Sequence, residues 1–121
     1  MTMRDSISAA RKSGPAAQAD GTSRFEFNFS AEDPVFAGHF PQRPILPGVF
    51  QLEMVRMAAE WLQNRQFAVQ EIAKAKFQRP VLPGETLALN LKLTESEGLV
   101  SARANFSCGG QAAGEAYLKL C

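Results

Sequence analysis

The sequence predicts an α+β fold in which one largely buried helix is wrapped by a curved antiparallel sheet of about five to six strands. Three observations predict it. Only the stretch from Pro47 to about Arg65 carries apolar residues at helical spacing over a useful length. The stretches on either side of it alternate apolar and polar residues, and those that follow it are joined mostly by short turns. Consecutive strands linked by short turns pair antiparallel, and a helix that is apolar round most of its circumference needs cover on more than one side.

Taken in order, residues 1–22 hold Ala, Ser, Gly, Gln, Asp and Arg, no aromatic residue, and Ile7 as their one β-branched aliphatic. They are expected to form a flexible N-terminal arm, with a helical turn at most around Ser8–Arg11, because they offer little apolar surface to bury. A single domain is expected over residues 23–121. It opens at Ser23 with a strand in which Phe25, Phe27 and Phe29 alternate with Glu26 and Asn28. Glu32-Asp33-Pro34 ends that alternation. The helix starts at Pro47-Gly48, where a missing amide costs nothing, and is expected to run to Gln63–Arg65. Val49, Phe50, Leu52, Val55, Ala59, Trp61 and Leu62 cover most of its circumference, while Glu53, Arg56, Glu60 and Asn64 share one narrow polar arc. Four strands follow: Phe67–Phe77, then Thr86–Thr94 after the Pro80–Glu85 turn, then Leu99–Cys108 and Gln111–Leu120 across Gly109-Gly110.

The chain has 121 residues and a net charge of +1, with Lys and Arg scattered, so it lacks the basic stripe of a nucleic-acid-binding protein. The longest nearly apolar run, Val49–Leu62, is broken by Gln51, Glu53, Arg56 and Glu60, far short of the ~20 apolar residues of a membrane span. The N-terminus shows no apolar stretch of the roughly 7–15 residues that marks a secretory signal, and a cytoplasmic protein is expected. Cys108 and Cys121 form no C-x-x-C pattern and are read as free thiols; with one histidine in the chain, no metal site is expected.

The chemistry concentrates in Gly38–Glu53. Pro41, Pro44 and Pro47 restrict the loop that carries His39, the only histidine, into the helix. A histidine with a pKa near ~6.5 is available as a base at neutral pH, although a lone histidine beside Phe40 is equally a structural residue. Gly48 sits where first-turn amides and the positive end of the helix dipole meet an anion, and it also serves simply as a helix-start glycine. Glu53 lies in the second turn of a mostly apolar helix, where burial favours the protonated acid; it also belongs to a polar arc in which Arg56 and Glu60 can pair with neighbours at i,i+3 and i,i+4 spacing.

The run Gly38-His39-Phe40-Pro41-x-x-Pro44-x-Leu46-Pro47-Gly48-Val49, followed by Glu53, resembles the signature of the β-hydroxyacyl-acyl-carrier-protein dehydratases of type II fatty acid synthesis, which are hot-dog-fold proteins. A second block, Lys76–Glu85, is similar to that family's segment after the helix, so the resemblance covers about Phe25 to the C-terminus. The resemblance implies a 3-hydroxyacyl thioester dehydratase with His39 as base, the Gly48 amide as oxyanion donor and Glu53 as acid. It further implies Phe40, Pro47, Val49 and Met57 as substrate-binding residues, and Arg43, Lys74, Lys76 and Arg79 as contacts for an acyl carrier protein at a tunnel mouth. No cofactor is implied beyond the phosphopantetheine that carries the substrate. The implied assembly is a homodimer, or an oligomer of dimers, in which base and acid come from different protomers.

The chain departs from the family at Met57, where glutamine is common, and at Arg56, which on reaching Glu53 would weaken it as a general acid. The family's aromatic- and proline-containing N-terminal segment is also absent. These departures fit a specialised enzyme of a secondary acyl or aryl-polyene pathway as well as one of fatty acid synthesis. Glutamate at position 53 favours plain dehydration over dehydration with isomerisation. A hot-dog acyl thioesterase and a catalytically weak acyl-carrier or acyl-chain binding module are the alternatives.

Overall fold

A computed structural model describes residues 2–36 and 44–121 of the chain. It contains helices α1 (Met3–Ala10) and α2 (Gly48–Gln63), a 3-10 turn at Pro34–Phe36, and strands β1 (Arg11–Ala17), β2 (Ser23–Asn28), β3 (Val69–Phe77), β4 (Thr86–Ser96), β5 (Leu99–Cys108) and β6 (Gln111–Leu120). The strands form one six-stranded sheet in the order β1-β2-β4-β5-β6-β3, and every neighbouring pair is antiparallel.

Alternation dictates which face of the sheet meets α2. Phe25 and Phe27 of β2, Leu87, Leu89 and Leu91 of β4, Ala102, Ala104 and Phe106 of β5, and Leu118 and Leu120 of β6 are buried together with Met54, Val55, Ala58 and Ala59 of α2. Trp61 closes this core, its ring centroid 6.0 Å from Phe25 and 6.3 Å from Phe27. Two tight hairpins set the register: Glu97-Gly98 and Gly109-Gly110 all hold positive φ, the twist-compatible geometry of a two-residue turn. Asn64, at φ 54° and ψ 46°, ends α2 in the left-handed conformation within the range the sequence predicts.

The first 22 residues correct the expectation of a flexible arm. Thr2 and Asp5 form a capping box, with the Asp5 amide donating to Thr2 Oγ1 and the Thr2 amide to Asp5 Oδ2, both at 3.1 Å. Met3, Ile7 and Ala10 share one face of α1; Ile7 is fully buried, and the Ser6 hydroxyl donates to Asp33 Oδ1 at 3.0 Å. Burying a whole isoleucine side chain contributes about 1.5–3 kcal/mol, enough to dock a short helix that would not persist alone. The chain then returns as β1, an exposed edge strand on β2.

The other edge is β3, every residue of which is exposed in the single chain, including Val69, Ile72 and Phe77. It starts two residues later than the sequence predicts because Phe67 turns inward, 5% exposed, beneath the end of α2. No helix among the described residues is long and apolar enough to cross a membrane.

Candidate active site

The two sequence blocks singled out above meet in space. The Leu46 amide donates to the Val81 carbonyl at 2.8 Å, so the approach to α2 is fastened to the Pro80–Glu85 turn. That turn is held from within: Arg79 Nη1 and Nη2 donate to Glu85 Oε1 and Oε2 at 3.0 and 2.7 Å, and Glu85 Oε1 also accepts the Leu82 amide at 2.8 Å. These bonds, first from Arg79 and then from the Leu82 amide, pull the Glu85 carboxyl down to about 2. Between the blocks lies an open, mostly apolar pocket of about 650 Å³ lined by Pro44, Ile45, Arg79, Pro80, Leu82 and Pro83.

Gly48 opens α2 behind Pro47, which provides no side-chain acceptor for the first-turn amides. A Cβ on Gly48 would lie 2.7 Å from Phe77 Cε2 and 2.8 Å from Cδ2. The ring of Phe77 therefore covers the helix start, and Gly114, paired with Phe77 across β3 and β6, opens the space behind it. Packing against Phe77 is thus a reason for glycine at position 48 that the sequence reading missed. Its signal was Gly114, a glycine inside a strand, which marks a close approach.

Glu53 stands five residues further on, partly exposed, and Arg56 Nε donates to its Oε1 at 2.5 Å. Arg56 Nη2 also contacts Glu53 Oε1. Arg56 Nη1 donates to Glu60 Oε2 at 2.7 Å and to the Phe67 carbonyl at 3.0 Å, and Glu60 Oε2 accepts the Phe67 amide at 2.8 Å. Burial works to lower the Arg56 pKa, but the bonds and charges of Glu53 and Glu60 outweigh it and the net shift is upward. The ion pairing that the polar arc offered is present.

His39, Phe40 and Arg43 lie outside the described residues. Of the other residues expected to bind substrate, Val49 is 57% exposed and Pro47 half-buried at the start of α2, whereas Met57 is 3% exposed within the core. Gly48 and Glu53 are five residues apart, which places them about 140° apart around the helix and about 7.5 Å along it. Lys74 pairs with Glu115 at 2.6 Å; Lys74 and Lys76 sit opposite Tyr117 and Glu115, whose neighbours Ala116 and Leu118 fill the core. The two lysines thus face away from α2, whereas Arg79 borders the pocket and is occupied by Glu85.

Comparison with known proteins places this geometry in a family. The 3-hydroxyacyl-[acyl-carrier-protein] dehydratase FabZ of Haemophilus influenzae is 38% identical over 100 residues, spanning 75% of this chain and 68% of that protein. FabZ of Histophilus somni is 36% identical over 100 residues, again 75% of this chain and 66% of the relative. The chain thus spans about two-thirds of the length of the curated relatives it matches. Among solved structures, the dehydratase heterocomplex ApeI:P from Xenorhabdus doucetiae matches with a TM-score of 0.73 and 31% identity over 90% of this chain and 92% of that one. A probable thioesterase from Bartonella henselae, 16% identical with a TM-score of 0.64 over 83% of this chain and 88% of that one, shares the fold alone. The ApeI-like family, described as ApeI dehydratase, matches residues 16–117, and the chain belongs to that family of hot-dog dehydratases.

Proposed function

We propose that the protein eliminates water from a 3-hydroxyacyl thioester presented by an acyl carrier protein, giving the trans-2-enoyl thioester. His39 takes the C2 proton, the first-turn amide at Gly48 meets the negative charge that develops on the thioester oxygen, and Glu53 delivers a proton to the departing hydroxyl. Atoms balance: one C–H and one C–O bond break, a C=C bond forms, and the hydroxyl leaves as water. The observation that carries the reading is the run His39 to Glu53 itself, joined to an uncapped helix start with Glu53 five residues beyond it.

The active unit in this reading is a homodimer with a shared site. Two observations support it. Gly48 and Glu53 of one α2 lie about 7.5 Å apart along the helix and about 140° apart around it, a separation that suits a site in which the carboxylate comes from a second copy. Strand β3 also offers an unpaired edge with exposed Val69, Ile72 and Phe77. The apolar pocket beside Arg79 fits the carrier's pantetheine arm or the start of the acyl chain.

The test is incubation with 3-hydroxyacyl thioesters of increasing chain length while enoyl absorbance and free thiol are followed. Enoyl product lost in both His39→Ala and Glu53→Ala, with the fold retained by circular dichroism, is the expected result. Free thiol without enoyl absorbance identifies a thioesterase instead. Carrier binding without turnover at any chain length identifies a binding module.

A further inference from the structure

Glu53 is held in a particular way. Both contacts from Arg56 fall on Oε1, and no described residue donates a hydrogen bond to Oε2. Arg56 is itself fixed: its side chain is 12% exposed, and Nη1 is bound by Glu60 Oε2 and the Phe67 carbonyl. Glu60 in turn accepts the Phe67 amide and faces Arg4 of α1 at 3.7 Å. All three guanidinium nitrogens are therefore engaged, and the plane of the fork is set by the backbone at Phe67.

We propose that Arg56 is a positioning residue for the dehydration, orienting Glu53 so that Oε1 is taken by the guanidinium and Oε2 is presented to the 3-hydroxyl of the substrate. The inference rests on the role proposed above for Glu53. Free in solution, a glutamate side chain samples several rotamers, and a surface ion pair at i,i+3 spacing does little to choose among them. Here the guanidinium is anchored at its far end, so it acts as a fixed fork. A lysine at position 56 has one nitrogen and cannot serve Glu53, Glu60 and the Phe67 carbonyl in the same geometry. Misplacing a reacting group by about 1 Å costs up to about 10²-fold in rate, which sets the scale of the effect.

The arrangement also gives α2 two separate duties. Its apolar faces hold the fold, while the arc Glu53-Arg56-Glu60 is tied to the Phe67 loop rather than to the sheet. Arg4 adds little, because its side chain is 58% exposed and the pair is long.

The test uses the full chain and a 3-hydroxyacyl N-acetylcysteamine thioester, with kcat and KM measured for E53Q, R56Q, R56K, E60Q and the double variant E53Q/R56Q, alongside thermal melts. The expected result is a fall in kcat of about 10- to 100-fold in R56Q and R56K with KM within about twofold. A smaller fall in E60Q, which loosens the anchor without touching Glu53, and no further loss when R56Q is added to E53Q are also expected. E60Q and R56K keep the test available where R56Q fails to fold. Wild-type kcat in R56Q and R56K beside an inactive E53Q overturns the inference and leaves the role of Glu53 standing, and so does a raised kcat in R56Q, the result expected where the ion pair only weakens Glu53 as an acid. Wild-type kcat in E53Q overturns the role of Glu53 itself. A raised KM with unchanged kcat in R56K assigns Arg56 to substrate binding and also overturns the inference.

Discussion

Replacing Gly48 by alanine tests the contact that shapes the start of α2. The added Cβ would stand 2.7 and 2.8 Å from two carbons of the Phe77 ring, whereas carbons in ordinary contact lie about 3.5–4.0 Å apart, so the ring must retreat by about 1 Å. Phe77 is 37% exposed and can move outward, which places the cost in the lower part of the overpacking range, about 1–2 kcal/mol. Alanine recovers at most about 1 kcal/mol through helix propensity, and less in the first turn, leaving a net loss of roughly 1 kcal/mol. In a Phe77→Ala background the obstacle is gone and Gly48→Ala becomes neutral or mildly stabilising, so the double-mutant cycle yields a coupling of about 1–2 kcal/mol. The assay is urea denaturation at fixed protein concentration followed by fluorescence of Trp61, the only tryptophan, which is partly buried and packs on Phe25 and Phe27. An equal cost for Gly48→Ala with and without the Phe77 ring refutes this account of the glycine.

Further outcomes follow from other contacts. Ile7→Ala removes a fully buried side chain and lowers stability by about 2–4 kcal/mol in the same urea assay; an unchanged midpoint would return residues 1–22 to the status of a loose arm. Glu85→Gln costs about 1 kcal/mol at pH 7, because the Arg79–Glu85 fork is partly exposed. Since the Glu85 pKa is lowered from 4.5 to about 2, that deficit is fully present above pH 4.5, shrinks as pH falls through about 2, and disappears below it; melts across this range check the sign. Ile72→Lys places a charge on the exposed edge strand; under the proposed shared-site homodimer it shifts the protein toward monomer in light scattering and lowers turnover, and an unchanged oligomeric state refutes the use of this edge.

What could be read in advance divides along physical lines. The helix over Gly48–Gln63 and the three strands after the Pro80–Glu85 turn were legible because each buries one face, and burial writes a period into the sequence. Strand β1 was not legible, because its residues are mostly exposed and it pairs through backbone groups that every residue carries. Helix α1 was hidden for a different reason: its buried face is made of Met3, Ile7 and Ala10, too little apolar surface to stand out, although Thr2-x-x-Asp5 spelled its cap. Within the site, the pairing of Arg56 with Glu53 and Glu60 could be foreseen from i,i+3 and i,i+4 spacing. The covering of Gly48 by Phe77 was signalled only in part: Gly114 inside a strand marks a close approach, but local spacing does not name its partner, a helix start far along the chain.

The open edge at β3 bears on how a newly made chain survives. Until it is covered, this strand is a template on which any extended segment could add, the first step toward aggregation. Two register irregularities on the β6 side, between Val69 and Glu71 and between Ile72 and Lys74, disturb its flatness, and Glu71, Lys74 and Lys76 place charged side chains along it. Irregular pleats and charged side chains on an edge strand disfavour its stacking with an arbitrary extended segment. The edge thus carries its own protection against unselective pairing.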